Sequence, residues 1–380
     1  MTNAARTDVG TIEDLHASAT RATGLEDFGD TDYLEPLGIL LDSYRNEAGL
    51  TELGSKMFRY FLKGALVARL LSEASWKAHP EHADVEITRP IFVTGLPRTG
   101  TTALHRLLAA DPDHQGVEMW LAEFPQPRPP RDTWEDNPVF AQIQAGFAQH
   151  HVENPEFMGL HYMDAAEVEE CWQLLRQSVM SISYESLAHI PTYSRWLSEQ
   201  DWTPAYRRHR KNLQLIGLND PGKRWVLKNP SHLFALDALM EAYPDALVIQ
   251  THRAPSTIIA SMCSLADHAT RGYSTTFVGE QIGRDQLELW SRGLREFSQA
   301  RQKYDPAQFL DIEFDDLRTD PLGTVERVYD ALGTPMTDAA RAAVVALDEE
   351  SRSGPRKPQH RYQLSDYGLD EKTVAEAFGD

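Results

Sequence analysis

The fold of this chain is decided by the stretch Ile91-Phe92-Val93-Thr94-Gly95-Leu96-Pro97-Arg98-Thr99-Gly100-Thr101-Thr102-Ala103-Leu104-His105-Arg106-Leu107-Leu108. An apolar run ends in a turn marked by glycine and proline, and the turn opens into a pattern with leucines on one helical face. Gly95 and Gly100 permit torsions closed to other residues, so the loop's N–H groups can converge beside a helix N-terminus with its partial positive charge. This strand, loop and helix therefore predict a phosphate site. Its candidate side-chain donors are Arg98, Thr99, Thr101 and Thr102.

The loop departs from the commonest phosphate-binding pattern in its cation. Gly95 and Gly100 have the separation found in the nucleoside-triphosphatase pattern G-x-x-x-x-G-K-[ST], but Thr101 occupies the position of its lysine. The cation of this loop is instead Arg98, between the two glycines. A tight turn without a ligand stays open as an alternative, because glycine and threonine are also common turn and cap residues.

The composition is that of an ordinary soluble globular chain and limits its partners. The 380 residues are 41% hydrophobic and 25% charged, enough to bury a core without disulfides or metals. A formal net charge of −20 argues against a general nucleic-acid binder, whose surface needs a basic excess. An anionic ligand would therefore be held by donors gathered locally.

Neither a targeting segment nor a membrane span is evident. Residues 1–30 are polar and acidic, and no apolar run approaches the length of a span, so secretion and stable membrane insertion are disfavoured and a cytoplasmic location is expected. The two cysteines, Cys171 and Cys263, lie in apolar, helix-like surroundings. This predicts buried thiols rather than a disulfide or a metal site.

Further strands that lead into helical patterns predict the architecture around the loop. Residues 224–228 and 246–253 are short apolar strands, each followed by a helical pattern, the first from about Ser231. Residues 308–314 are a fourth strand that leads to a helix. These units predict an α/β fold with a P-loop-type, mostly parallel central sheet flanked by helices and an N-terminal helical extension.

Such a sheet predicts where the polar residues meet. Ligands of parallel sheets bind at the carboxyl ends of the strands, and we call this edge the rim. The residues expected on the rim are Arg98, Lys228, His232 and Arg253.

The chain is expected to have four parts. Residues 1–30 are predicted to be a mobile arm, and residues 31–87 a helical extension packed on the core. Residues 88–350 contain the strand-to-helix units, and residues 351–380 form a basic loop and tail. Within the main part, helices are also predicted over residues 138–151, 165–180 and 192–216.

Two kinds of catalytic site find no support in the sequence. The 14 histidines include no zincin-type pair with a glutamate and no Cys/His cluster, which argues against a metal site. No G-x-S-x-G pattern is present, so a nucleophile-elbow serine hydrolase is unsupported. What remains is the phosphate loop, Lys228 with His232, and Arg253 with Ser261 in the following helix.

In order and spacing, these segments resemble the sulfotransferases that use 3′-phosphoadenosine 5′-phosphosulfate (PAPS). The loop Pro97-Arg98-Thr99-Gly100-Thr101-Thr102 is similar to that family's 5′-phosphosulfate loop, and Arg253 with Ser261 is similar to its 3′-phosphate motif. Residues 227–233 resemble the segment in which many members place a catalytic histidine, and residues 314–321 resemble a further family signature. The resemblance covers roughly residues 88–335.

The resemblance implies catalytic roles. His232 would be the base that takes the acceptor's proton, with Glu169 or Glu170 as alternatives, and a purely structural His232 that caps its helix stays open. Arg98 would bridge sulfuryl and 5′-phosphate oxygens, with Lys228 as a second cation. Better-known members have lysine at the position of Arg98. Because arginine donates no proton, electrostatic stabilisation without acid assistance is expected.

The resemblance also implies how the nucleotide is held. Residues 99–102 would bind the 5′-phosphate, and Arg253 with Ser261 the 3′-phosphate. The C-terminal basic loop would close over the nucleotide, unless it is only a solvated charge run. Its candidate residues are Arg356, Lys357 and Arg361.

The expected function is transfer of a sulfuryl group from PAPS to a hydroxyl of a largely apolar small molecule or lipid, leaving adenosine 3′,5′-bisphosphate, without a metal. The apolar acceptor is inferred from the Met, Trp and Tyr content of residues 157–206. A P-loop phosphotransferase using ATP and magnesium is the main alternative, disfavoured by Thr101 and by the lack of a strand ending in a magnesium-binding aspartate. A nucleotide-binding regulatory protein is a third reading, and a homodimer is a further expectation.

Overall fold

The computed structural model of the chain describes residues 8–153, 164–353 and 363–379. Its centre is a five-stranded sheet in the order β2-β3-β1-β4-β5, and every neighbouring pair of strands is parallel. The strands are β1 (Ile91–Gly95), β2 (His114–Gln115), β3 (Arg224–Lys228), β4 (Leu247–His252) and β5 (Phe309–Glu313). The predicted α/β fold is therefore confirmed. The short strand β2 was not predicted, since its two residues carry no apolar pattern.

Helices flank the sheet. Those before β1 are α1 (Ile12–Thr23), α2 (Leu34–Asn46) and α3 (Glu52–Ala78). Those after it are α4 (Thr101–Ala109), α5 (Met119–Glu123), α6 (Pro138–Glu153), α7 (Trp172–Leu175), α8 (Pro191–Ser198), α9 (Thr203–Ile216), α10 (Leu236–Ala242), α11 (Pro255–Ala269), α12 (Glu280–Arg301), α13 (Phe314–Thr319), α14 (Pro321–Leu332), α15 (Asp338–Ser353) and α16 (Glu371–Phe378). In the described part of the chain, no helix combines the length and the apolar composition needed to cross a membrane.

The central strand β1 is buried on both faces and separates two cores. Ile91 and Val93 belong to the same apolar cluster as Leu104 of α4. Phe92, whose side chain points the other way because strand residues alternate, belongs to a larger cluster. Cys171 and Cys263 are free and buried, as predicted.

The N-terminal segment is docked on the rest of the molecule. Thr11 caps α1 by accepting a hydrogen bond from the Asp14 amide, and Leu15 and Ala19 of this helix are fully buried where it packs on α3. The prediction of a mobile arm over residues 1–30 is therefore wrong for α1. Its apolar positions are few and widely spaced, so the sequence alone suggested no packed face.

The helical extension is also tied to the core by a buried cation. Arg69 of α3 is fully buried and donates to the carbonyl oxygens of Phe28 at 2.6 Å, Asp30 at 2.6 Å and Gln177 at 3.1 Å. A buried guanidinium needs this many acceptors to offset its loss of hydration. One side chain thereby joins residues 28–30 to the polypeptide that follows α7.

Two predicted helices differ in the structure. Of residues 165–180, only α7 is α-helical, and a 3₁₀ turn, Arg176–Ser178, follows it. The residues before α7 instead bond to residues 117–120, so tertiary pairing overrides the helical pattern. The helix expected from Ser231 is a 3₁₀ turn, Pro230–Phe234, and the α-helix begins only at Leu236.

Candidate active site

The phosphate loop is a closely packed turn between β1 and α4. Arg98 and Gly100 have positive φ angles of 68° and 89°, and Gly100 is the N-cap of α4. A Cβ atom at Gly100 would lie 2.9 Å from Cδ2 of Leu317 in α13, so this position requires glycine. The Thr99 hydroxyl donates to the carbonyl oxygen of Leu96 at 2.6 Å. The loop is thereby fixed both from within and by the neighbouring helix.

The threonines of the loop divide into internal and rim-facing side chains. Thr99 is fully buried, and its hydroxyl also shares a 2.5 Å hydrogen bond with that of Thr251. The prediction that this hydroxyl donates to a phosphate is therefore wrong, because its proton is donated to the Leu96 carbonyl. Thr101 is 4% exposed, whereas Thr102 is exposed and accepts a hydrogen bond from Lys228. Pro97 is buried in the turn.

Three predicted nucleotide-binding residues lie together beside this loop. Nε of Arg98 donates to the Ser261 hydroxyl at 3.2 Å, and Nη1 of Arg253 donates to the Arg98 carbonyl at 3.1 Å. Arg253 directly follows β4, and Ser261 lies in α11 with 5% of its surface exposed. Parallel pairing of β1 with β4 brings these residues together.

A fourth residue, Phe314, lies beside these three and was not predicted as a functional candidate. The ring of Phe314, the first residue of α13, lies 4.2 Å from the guanidinium carbon of Arg253. The sequence analysis placed Phe314 in a family signature without assigning it a role. The available signal was its position directly after β5, at the same edge of the sheet as Arg253.

A buried lysine and a carboxylate meet at the carboxyl end of β3. Lys228 is 3% exposed, pairs with the Glu170 carboxylate and donates to Thr102 Oγ1 at 3.1 Å. The Cys171 amide donates to the Lys228 carbonyl at 3.0 Å, which holds Glu170 beside the strand end. The Glu170 side chain keeps 19% of its surface exposed. This pair therefore lies next to the phosphate loop and is open to a substrate.

An extended segment positions Glu170. The Glu169 amide donates to the Val117 carbonyl at 2.7 Å, and the carboxylate of Glu169 accepts the Glu170 amide at 2.9 Å. Nε of Arg106, in α4, lies 3.0 Å from the Glu167 carboxylate. The segment is thus fixed both to residue 117 and to the helix of the phosphate loop.

His232 does not lie on the rim, and that prediction is wrong. Its ring is fully buried, 5.0 Å from the ring of Phe92, with Nδ1 2.6 Å from the Tyr206 hydroxyl. Burial, helped by nearby His209 and Lys228, lowers the pKa of His232 well below its usual value. Burial also raises the pKa of Tyr206 well above its usual value, so the hydrogen bond joins a neutral phenol to a neutral imidazole.

The structure leaves two predictions about the site without a test, the C-terminal basic loop and the absence of a metal. The C-terminal candidates Arg356, Lys357 and Arg361 lie outside the described residues. Among residues 8–153, 164–353 and 363–379, no three His, Cys, Asp or Glu side chains are grouped as a metal site requires.

The arrangement suits an anionic ligand with two charged ends. Arg98, Lys228 and Arg253 lie on the rim of a chain with a net charge of −20. The positive potential there therefore comes from these side chains and not from the net charge of the protein. One end of the site offers Lys228, Thr102 and the N-terminus of α4, and the other offers Arg253 and Ser261. Guanidinium, ammonium and hydroxyl donors are the groups that bind phosphate and sulfate oxygens. These residues fit the 5′-phosphosulfate and the 3′-phosphate of PAPS.

Known proteins share both the sequence and the structure of this region. The model of the Sulfotransferase family matches residues 90–338. Two curated relatives, the omega-hydroxy-beta-dihydromenaquinone-9 sulfotransferases Stf3 of Mycobacterium bovis and Mycobacterium tuberculosis, are each 26% identical over 278 residues, which is 64% of this chain and 62% of theirs. The match therefore spans less than two thirds of those relatives.

Two crystal structures resemble the chain along nearly its whole length. Sulfotransferase STF1 from Mycobacterium tuberculosis H37Rv is 64% identical with a TM-score of 0.92, over 98% of this chain and 99% of that one. Sulfotransferase STF9 from Mycobacterium avium is 25% identical with a TM-score of 0.86, over 100% and 96%. The family's segments, their order and their fold are all present, and this chain belongs to the Sulfotransferase family.

Proposed function

We propose that the chain transfers the sulfuryl group of PAPS to a hydroxyl of an apolar molecule, with Glu170 as the base. The observation that carries this proposal is the contact of Glu170 with Lys228, which also bonds to Thr102 of the phosphate loop. A proton acceptor and a cation are thereby placed together where a transferring group bound to the loop would lie.

The chemistry requires one proton acceptor and several fixed positive charges. The acceptor's oxygen forms a bond to sulfur while the bond from sulfur to the 5′-phosphate oxygen breaks, and the hydroxyl proton passes to the Glu170 carboxylate. The products are a sulfate ester and adenosine 3′,5′-bisphosphate. Arg98 and Lys228 stabilise the charge that develops on the leaving phosphate, as fixed donors do in phosphoryl transfer.

The ion pair gives Glu170 two states. In one state the Glu170 carboxylate pairs with the Lys228 ammonium. A phosphate at the loop competes for the same ammonium, and in the second state Lys228 turns toward that phosphate and leaves the carboxylate to the acceptor hydroxyl. Nucleotide binding would thus free the base, whereas the side chain of His232 is fully buried.

The remaining nucleotide contacts involve Arg253 and Ser261, at the other end of the site. Arg253 and Ser261 bind the 3′-phosphate, which distinguishes this donor from ATP. Closure of the C-terminal basic loop through Arg356, Lys357 and Arg361 stays a prediction, as do the cytoplasmic location and the homodimer. Fractionation and light scattering would test the last two.

The acceptor class draws support from the curated relatives. Their names specify omega-hydroxy-beta-dihydromenaquinone-9, a hydroxylated apolar molecule. For this chain we infer the shared chemistry alone, a hydroxyl on a largely apolar small molecule or lipid. A panel of hydroxylated apolar compounds, read by mass spectrometry for a gain of one sulfuryl group, identifies the acceptor.

Glu170→Gln tests the base. We expect kcat to fall by about 10²–10⁴-fold, because general-base catalysis is lost, while calorimetric affinity for adenosine 3′,5′-bisphosphate stays within threefold. Glu169→Gln is the matched control, since its amide oxygen can still accept the Glu170 N–H. Near-normal turnover of the Glu170 variant would remove it as the base.

Metal removal and ATP test the reaction class. We expect turnover with PAPS to survive EDTA, because Arg98 and Lys228 supply the positive charge that magnesium supplies in phosphotransferases. Calorimetry should show binding of adenosine 3′,5′-bisphosphate in preference to ATP with magnesium. Tight binding of ATP with magnesium and none of the bisphosphate would favour the phosphotransferase instead.

A further inference from the structure

Phe314 and Arg253 are brought together by the register of the sheet. In the pairing of β4 with β5, His252 lies opposite Glu313. Arg253 and Phe314 are the next residues on each strand's chain, so both leave the sheet at the same point of the rim. Their contact is therefore a consequence of the strand pairing.

The ring of Phe314 lies between the two parts of the nucleotide site. Its centroid is 4.2 Å from the Arg253 guanidinium carbon, and its Cδ2 lies 3.2 Å from the position that a Cβ atom would take at Gly100. Gly100 begins the helix of the phosphate loop. One half-buried ring thus lies against Arg253, the predicted ligand of the 3′-phosphate, and close to the first turn of the loop's helix.

An uncharged ring is an informative choice of partner for a cation. Beside a carboxylate, the charge of Arg253 would be neutralised before a phosphate arrived. The two carboxylates next in sequence are bound elsewhere, Asp315 to Arg318 at 3.2 Å and Asp316 to Arg327 at 3.1 Å. An aromatic face attracts the guanidinium, holds it flat and uses none of its N–H donors.

From these contacts we infer that Phe314 is a positioning residue for the 3′-phosphate, which orients Arg253 while leaving its charge and donors for the ligand. The inference rests on the proposed function, because it takes Arg253 as the ligand of that phosphate. Phe314 touches no reacting atom and acts through Arg253.

The test compares two nucleotides that differ in the 3′-phosphate. Calorimetry measures the affinity of the full chain and its Phe314→Leu and Phe314→Tyr variants for adenosine 3′,5′-bisphosphate and for adenosine 5′-monophosphate. We expect the leucine variant to bind the bisphosphate about 3–10-fold more weakly, with the monophosphate unchanged within twofold. Tyrosine keeps the aromatic face and should restore the bisphosphate affinity.

A double-mutant cycle separates positioning from packing. In an Arg253→Ala background, Phe314→Leu should no longer change bisphosphate affinity, because the side chain through which it acts is gone. Equal weakening of both nucleotides by the leucine variant would mean that the ring only supports the loop at Gly100, and would overturn the inference. Circular dichroism and urea unfolding of each variant confirm that the folded state is being compared.

The failure of the inference is distinguishable from that of the proposed function. If the unaltered chain shows no preference for the bisphosphate over the monophosphate, the assignment of Arg253 fails and the role of Phe314 fails with it. If the preference is present and Phe314→Leu leaves it unchanged, the inference alone is refuted.

Discussion

The junctions after β1 and β3 look alike in sequence and differ in the structure. Each is an apolar strand followed by polar residues and a proline. After β1 the loop presents Arg98 and Thr102 at the rim. At the end of β3, Lys228, the last residue of the strand itself, faces the phosphate loop, and His232 is fully buried.

The turn after each strand explains the difference. In the first junction, the positive φ angles of Arg98 and Gly100 turn the chain back over the strand end. In the second, the Asn229 side chain accepts the Ser231 amide at 3.1 Å and starts a 3₁₀ turn that carries His232 toward Tyr206. A strand-end residue is thus oriented by the sheet, whereas a residue several positions later depends on the turn.

Among the variants that test this comparison, the largest effect is expected from Lys228→Met, which removes the cation that the second junction contributes to the rim. We expect kcat to fall by about 10²–10³-fold, the usual cost of losing one fixed charge donor in the transition state. Lys223→Met is the control, because that half-exposed lysine precedes the other end of β3 and pairs with Asp220. Unchanged turnover in the Lys228 variant would place the reaction away from this rim.

His232→Ala tests the buried side of the comparison. We expect the free energy of unfolding to fall by about 2–4 kcal/mol, because a cavity forms and the Tyr206 hydroxyl loses its partner. Turnover per folded molecule should stay within a few-fold. Urea unfolding and steady-state rates measure the two, with His79→Ala, a 41% exposed side chain, as the control. A collapse of kcat at unchanged stability would restore His232 as the base.

The difference between the two junctions shows which features of the site can be predicted from the sequence. The strand, loop and helix at residues 91–108 and the cations Arg98, Lys228 and Arg253 were predictable, because short apolar runs bounded by turn residues locate strands and parallel strands end on one edge. The burial of His232 depends on contacts with residues distant in the sequence, and so does the conformation of the segment before Cys171. A local helical pattern contains no information about such contacts.

Acidification should lower the stability of the fold through its buried histidines. Burial is the main cause that lowers the pKa of His105 to about 3, and it lowers that of His209 to about 3 as well. In the unfolded chain both titrate near 6.5, so the unfolded state binds protons first and stability falls as pH drops from about 6.5 toward 3. At pH 5 each histidine would have lost about 2 kcal/mol of its contribution.

A histidine variant isolates this contribution. In His209→Gln, the difference in unfolding free energy between pH 7 and pH 5 should shrink by about 2 kcal/mol relative to the unaltered chain. Urea unfolding at the two pH values measures it. An unchanged difference would mean that His209 titrates alike in the folded and the unfolded chain, contrary to its buried position.

The smallest effect is expected within the phosphate loop, where two threonines repeat the comparison on a smaller scale. Thr102→Val removes an exposed hydroxyl that accepts from Lys228, and should weaken adenosine 3′,5′-bisphosphate binding about fivefold, near 1 kcal/mol, without changing stability. Thr99→Val removes a buried hydroxyl bonded to Leu96 and Thr251, and should lower stability instead. If the two variants shifted affinity and stability alike, the division between rim-facing and internal side chains would not hold in this loop.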